Sequence, residues 1–180
     1  TMVDVLCIND EEARQLSEQY SLRTAAKMIM AMGPKTLIIK KGEHGALLFQ
    51  GDRMFYCPAL PLEDVFDPTG AGDTFVGGFI GYLAKTDDIS FENMRRAIVH
   101  GSAMASFCVE KFGTERLIGL TQEQVEQRVQ EFIDLVQFDD EGKITDFEVM
   151  VRPMSGLQAL GDEMGKRLAP YIAMMKPAKS

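Results

Sequence analysis

The stretch 67–79, DPTGAGDTFVGGF, sets two glycines and an alanine directly before an aspartate, and an apolar, helix-like run follows. Small residues in succession let backbone N–H groups converge on one point, which makes an anion-binding concavity. A helix that begins there adds its own unpaired N–H groups and the positive end of its dipole. Gly70, Ala71 and Gly72 are the donors of such a seat. Asp73 falls in the first helical turn, beside whatever the seat holds. A carboxylate in that place can accept the proton of a hydroxyl that attacks a phosphoryl group, provided it is within hydrogen-bond reach. The same residues also make a sound helix start, since an acid in the first turn favours the dipole. Spacing alone leaves the two readings level. The pattern is neither GxGxxG after a strand nor GxxxxGK[ST], so neither a dinucleotide fold nor a P-loop is indicated.

The elements that must position this turn follow from pattern. VDVLCI (3–8) reads as a short strand. NDEEARQLSEQY and TAAKMIMAM read as helices, and KTLIIKKG as a buried strand ending at a glycine. GALLFQGDRMFYCPAL predicts a hairpin turning at Gly51–Asp52, and PLEDVFDPTGAG a short strand and loop. A helix is expected over 72–85, with Phe75, Val76, Phe79, Ile80 and Leu83 on one face. A second begins after Ser90 as N-cap. A third carries a Thr121–Gln124 capping box and an apolar face of Val125, Val129, Phe132 and Val136. Early strands interleaved with helices predict an α/β layered architecture. Further on, GKITDFEVMVRP alternates as a half-buried strand does. SGLQALGDEMGKRLAPYIA is patterned as an amphipathic helix, with Leu157, Leu160, Met164 and Leu168 on one face.

Composition narrows the function classes. Of 180 residues 46% are hydrophobic and 26% charged, which suits a globular α/β protein of one domain or one and a half. No apolar run reaches the length of a membrane span, and no leader-like segment is visible, so cytoplasmic residence is expected. Cys7, Cys57 and Cys108 are odd in number and form no CxxC pair, which argues against a disulfide framework or a zinc site. The net charge of −8 argues against nucleic acid as a partner. All of that charge lies in residues 1–139, with thirteen basic and twenty-one acidic side chains; residues 140–180 balance at six of each. The shift is consistent with a seam near residue 138.

DPTGAGDTFVGGF closely resembles the C-terminal signature of the ribokinase-like (PfkB) family of carbohydrate and nucleoside kinases. The resemblance implies a three-layer α/β/α fold and ATP-dependent transfer of the γ-phosphoryl group to a hydroxyl of a sugar or nucleoside. It implies ATP and Mg²⁺ as cofactors and allows K⁺. Asp73 then matches the catalytic base and Gly70, Ala71 and Gly72 the anion hole. Asp67 and Thr69 match positions that line a monovalent-cation site. Asn9 and Glu12 in NDEE match the family's NxxE motif, which orders Mg²⁺ and phosphate largely through water. The same pair is also a capping box in type. KKGEHG resembles the loop lying along the nucleotide, through Gly42 and Gly45, with Lys41 as a candidate phosphate contact. HGSAMASFCVEKFGT resembles the helix and loop beside adenine, where Gly101, Ser102 and Ser106 are small enough to admit a purine. Close helix packing explains those small residues equally well. His44 is expected to be exposed, and His100 to be a packed helical residue.

The resemblance covers residues 2–137 and corresponds to the C-terminal, nucleotide-binding half of such a kinase. The family's N-terminal half supplies the glycine pair that grips the acceptor and a β-sheet lid. Without these, little activity is expected from this polypeptide alone, and an exposed sheet edge is expected to favour self-association. The remainder, 138–180, is expected to be a separate strand–helix tail. Over 138–172 it resembles the last strand and helix of a SnoaL-like (nuclear-transport-factor-2-like) fold. Two further functions are therefore carried: a non-enzymatic association module, and a fragment of a SnoaL-like small-molecule binder.

Overall fold

The computed structural model describes residues 3–134, 136–138 and 144–147. Strand β1 (Val5–Asn9) leads directly into helix α1 (Asp10–Ser17), and α2 (Leu22–Ala31) into β2 (Thr36–Lys40). A short 3₁₀ turn (Gly42–His44) precedes β3 (Ala46–Gln50) and β4 (Arg53–Cys57). Three long helices follow: α3 (Ala71–Thr86), α4 (Phe91–Cys108) and α5 (Gln122–Asp134). The first four strands form one sheet in the order β1-β2-β3-β4. β1 and β2 are parallel, with the helical crossover that parallel pairing requires. β2, β3 and β4 are antiparallel neighbours, with the hairpin turning at Gly51–Asp52 as expected.

Strand alternation builds the layers. On β2, Leu37 and Ile39 face α1 and α2, where Ala13, Ala26, Ile29 and Phe49 complete a core. Ile38 faces the other way, with Ala46, Leu48 and Cys57, toward Phe75, Phe79, Met94, Ala97 and Ile98 of α3 and α4. A strand packed on both faces needs an unbroken apolar run, and TLIIK supplies one. Val129 and Phe132 bring α5 onto the second core. Burial of four wholly enclosed side chains in a five-residue strand makes β2 the spine of the fold: at about 25 cal/mol per Å², each such aliphatic chain contributes about 1.5–3 kcal/mol.

The ends of the helices follow local chemistry. The Asn9 side chain accepts the Glu12 N–H while Glu12 accepts the Asn9 N–H, both at 2.7 Å. Ser90 Oγ accepts the Asn93 N–H at α4. Thr121 and Gln124 pair reciprocally at α5, as expected.

Several expectations are corrected. No strand forms in 61–72. Pro58 and Pro61 lack amide hydrogens, and Val65 and Phe66 are 59% and 76% exposed. The Phe66 and Asp67 N–H groups instead donate to the Val109 carbonyl, tying the loop to the end of α4. Ile80 does not join the apolar face of α3; it is 56% exposed. Val136 is not part of α5 but opens β5 (Val136–Phe138), which pairs antiparallel with β6 (Ile144–Phe147). The expected seam near 138 thus falls at a strand paired across it. The amphipathic helix expected after residue 154, and most of the SnoaL-like resemblance over 138–172, lie outside the described residues. Among the described residues no helix is long and apolar enough to cross a membrane.

Candidate active site

The parallel pair β1 and β2 ends in register at Asn9 and Lys40. In α/β sheets the carboxyl ends of parallel strands are where ligands gather, because helix N-termini arrive there. Here α1 starts at Asp10 on one side and α3 at Ala71 on the other.

The turn into α3 depends on Gly70. It is the N-cap with φ +82°, a left-handed backbone that glycine adopts without penalty. The first helical bond runs from the Thr74 N–H to the Gly70 carbonyl at 2.9 Å, and Thr74 Oγ1 donates to the same oxygen. The N–H groups of Gly72 and Asp73 therefore have no acceptor four residues back, as at any helix start. The Ala71 N–H is directed elsewhere, to the Pro68 carbonyl at 3.2 Å. Of the donors that the sequence pattern suggested, the Ala71 N–H is thus taken, while that of Gly72 is left over and that of Asp73 joins it. The Asp73 carboxylate is exposed in the first turn of α3.

Lys40, which pattern reading did not single out, completes the cluster. Its Nζ comes within 3.0 Å of where a Cβ on Gly72 would stand. Alternation along β2 explains why. Ile38 faces α3 and α4, so Lys40, two residues on, projects to that same side. That period-two argument was available in TLIIKK. Lys41 instead enters the 3₁₀ turn: its N–H donates to the Gly45 carbonyl at 2.8 Å, and its carbonyl accepts the His44 N–H. Cys7 on β1 is sensitive to both Lys40 and Glu12. Burial pushes its thiol up, the Lys40 charge opposes this, and the Glu12 charge adds to it. The cluster therefore unites β1, α1, β2 and α3.

The loop before α3 is held by Asp67. Its Oδ1 accepts the Thr69 N–H at 2.9 Å, and its Oδ2 accepts the Gly113 N–H at 3.4 Å. The hydrogen bond from the Thr69 N–H is the main cause that holds the Asp67 carboxyl below its ordinary range. The Cys108 thiol reaches the carbonyls of Thr69 and Gly113, at 3.7 and 3.9 Å, and so ties the loop before α3 to the one after α4.

The small residues of α4 are spent on packing. A Cβ on Gly101 would lie 2.7 Å from the Phe75 carbonyl, so this glycine lets α3 and α4 touch. Ser102 is buried against the Cys57 thiol. Ser106 Oγ donates to the Ala103 carbonyl and accepts from Arg128. As placed, all three face inward. Gly42 and Gly45 frame the exposed 3₁₀ turn, which Tyr56 fastens by donating its hydroxyl to the His44 carbonyl at 2.9 Å. A second feature, an open cavity of about 470 Å³ between residues 60–64 and α5, is lined in part by Glu110, Arg128 and Glu131 and shares no residue with the seat. Among the described residues no three His, Cys, Asp or Glu side chains gather as a direct metal cage.

Comparison with known proteins identifies the family and the fold. The family model described as pfkB family carbohydrate kinase matches residues 1–118. Cytidine kinase of Thermococcus kodakarensis is 37% identical over 83 residues, which cover 44% of this chain and 30% of that protein. Ribokinase of Staphylococcus aureus is 30% identical over 128 residues, 68% of this chain and 40% of that one. The structure of aminoimidazole riboside kinase from Salmonella enterica, complexed with aminoimidazole riboside and an ATP analogue, superposes with a TM-score of 0.62 at 30% identity. That match covers 70% of this chain and 42% of the kinase. The chain spans less than half the length of these relatives.

Proposed function

The chain belongs to the pfkB family of carbohydrate kinases and has its ribokinase-like α/β fold, and on that ground we propose that it carries the phosphoryl-transfer end of an ATP-dependent sugar or nucleoside kinase. The observation that supports this most directly is the convergence of Gly72, Asp73 and Lys40 at the carboxyl ends of two parallel strands. The N–H groups opening α3 receive the phosphoryl oxygens. The acceptor hydroxyl attacks the γ-phosphorus, its proton passes to the Asp73 carboxylate, and the bond to the bridging oxygen breaks. ADP then leaves with the bonding electron pair. Asp73 need not be a strong base; it must lie within hydrogen-bond reach of the attacking oxygen. The purine lies toward the 101–113 helix and loop.

Mg²⁺ keeps several water ligands and takes one or two carboxylates with substrate phosphates. Glu12 offers one exposed carboxylate, with Asn9 beside it, and this donor set suits contact through water. When bound, Mg²⁺ supplies positive charge that neutralises the phosphates. Asp67 and Thr69 are assigned to a K⁺ loop by the family resemblance, and Asp67 joins the two segments of that loop through the Thr69 and Gly113 N–H groups. With ATP as donor, cytoplasmic residence is part of the same proposal.

Nucleotide binding is tested by thermal melting with millimolar Mg·ATP. At about ten times the dissociation constant the gain is about 1.4 kcal/mol, or roughly 3–5 °C. Gly72→Val, which fills the space beside Lys40, is expected to abolish the shift. An unshifted wild-type protein refutes the reading. Turnover is a separate matter. In the family the acceptor is gripped by residues that these 180 do not include, and transfer requires the hydroxyl to be held in line. We expect no ADP release from the 180-residue polypeptide with a panel of sugars and nucleosides; turnover abolished by Asp73→Asn would overturn that expectation. A second reading, association through the sheet, is favoured by β1, whose outer edge has no strand partner among the described residues.

A further inference from the structure

We propose that Lys40 is the cationic wall of the phosphate seat and grips the terminal phosphoryl group of the bound nucleotide; this rests on the nucleotide reading above. Lys40 ends β2, and its half-buried side chain reaches across to another element rather than into solvent. Its ammonium arrives beside Gly72, at the positive end of the α3 dipole. A cation placed there is repelled by the helix end unless an anion lies between them. Among the described residues the Lys40 ammonium forms no ion pair or hydrogen bond. Glu12, whose charge acts on Cys7 as that of Lys40 does, forms no ion pair with Lys40, and its Oε2 accepts the Asn9 N–H at 2.7 Å. Asp73 sits in the same helical turn as Gly72 and still makes no ion pair with Lys40.

Three donors thus converge without an acceptor: the ammonium, and the N–H groups of Gly72 and Asp73. Their common complement is a compact polyanionic group with several oxygens, such as a terminal phosphate. Gly72 has a specific part in this arrangement. A Cβ at that position would lie 3.0 Å from Nζ, so the end of the lysine chain would have to give way by a few tenths of an ångström, and a larger side chain would displace it further. The glycine therefore leaves room for the lysine's ammonium as well as for the backbone's approach to the anion.

The test is calorimetric titration of the whole 180-residue chain with ATP, ADP, AMP and adenosine in the presence of Mg²⁺. Wild type is compared with Lys40→Met, Lys40→Arg and Lys41→Met. A lost phosphate contact scales with phosphate number. Lys40→Met is expected to weaken ATP by about tenfold or more, ADP by less, and AMP and adenosine by less than about twofold. Lys40→Arg restores most of the ATP affinity, and Lys41→Met stays within about twofold throughout. The ligand-free melting temperature of Lys40→Met is expected to equal or exceed that of wild type, because an unpaired cation has been removed from a positive helix end. An ATP affinity unchanged in Lys40→Met overturns the assignment and leaves the nucleotide reading standing. An equal loss across all four ligands, or a lowered ligand-free melting temperature, assigns Lys40 a structural role and also overturns it. Absence of ATP binding to wild type defeats the nucleotide reading, and this inference with it.

Discussion

Gly45 shows how far a single position constrains this fold. Its φ is +83°, and a Cβ there would lie 2.0 Å from the Cys57 carbonyl and 2.7 Å from the carbonyl carbon of Pro58. Both obstacles are backbone, so no rotamer change relieves them. Gly45→Ala should cost about 2–4 kcal/mol, from left-handed strain plus displacement of the β4 exit. Gly42→Ala is the control: its φ is +55° but no atom lies within 4 Å of the added methyl, so only the backbone term of about 1–2 kcal/mol remains. Urea denaturation of both variants measures the difference; equal losses would show that the Cys57 wall yields. The sequence identifies both glycines as loop residues and does not tell them apart. The distinction depends on which strand passes behind the loop, and that is fixed by the β3–β4 pairing of Ala46 with Cys57.

Helices α3, α4 and α5 carry the site from behind, and their joints are partly ionic and aromatic. Burial pushes the Glu110 carboxyl up, but Arg128 and Arg116 together outweigh it and hold it below its ordinary range. Both guanidiniums also lie over the Phe107 ring, at 4.0 and 4.8 Å from its centroid. His100 of α4 stacks on Tyr82 of α3, with ring centroids 4.1 Å apart. Burial is the main cause that lowers the His100 pKa, Lys85 lowers it further, and Glu126 opposes both. A base whose folded pKa is depressed takes up its proton more readily when unfolded. Its contribution is therefore full above the unfolded value near 6.5 and is lost as pH falls through the folded value. The lowered carboxyls of Asp10, Asp67 and Glu110 act only at more acid pH, and Cys57, pushed up to about 11, only in alkali. Between about pH 7.5 and about pH 5.5 the melting temperature should fall less for His100→Gln than for wild type. Equal slopes would show that the stack tolerates the proton. Helices α1, α4 and α5 were legible because their caps are local: Asn9 with Glu12, Ser90 with Asn93, Thr121 with Gln124. The joints between helices were not. Ser106 looks like a small residue open to a ligand until Arg128, twenty-two positions later, is seen bonded to it. Val65 and Phe66 read as a strand because their type suits one, but strand formation needs a neighbour and their backbone finds the Val109 carbonyl instead.

The assembled sheet ends at β1, a parallel strand, and that raises a question of association. Parallel strands are ordinarily enclosed, with helices on both faces and strands on both sides. β1 has the helices: Val5 and Cys7 pack toward one core, Leu6 and Ile8 toward the other. On its outer side no strand pairs with it among the described residues. An open row of N–H and C=O groups is a template for another strand, and no proline interrupts Val5–Asn9 to block it. Bulges and inward-pointing charges, the usual protections, are also absent from VLCIN. The 180-residue polypeptide should therefore self-associate as its concentration rises, with β1 protected from amide hydrogen exchange in the associated form. Light scattering coupled to size exclusion, followed by exchange of the separated species, tests both parts. A monomer that persists to about 100 µM, near the concentrations at which edge pairing is ordinarily seen, refutes the idea. Association with β1 amides still exchanging freely moves the contact to another surface and refutes it as well. If β1 is the contact, the phosphate seat at Asn9, Lys40 and Gly72 lies at the margin of the joint, because β1 ends at Asn9 and pairs there with Lys40. Mg·ATP should then shift the monomer–oligomer balance, an effect expected to disappear in Gly72→Val.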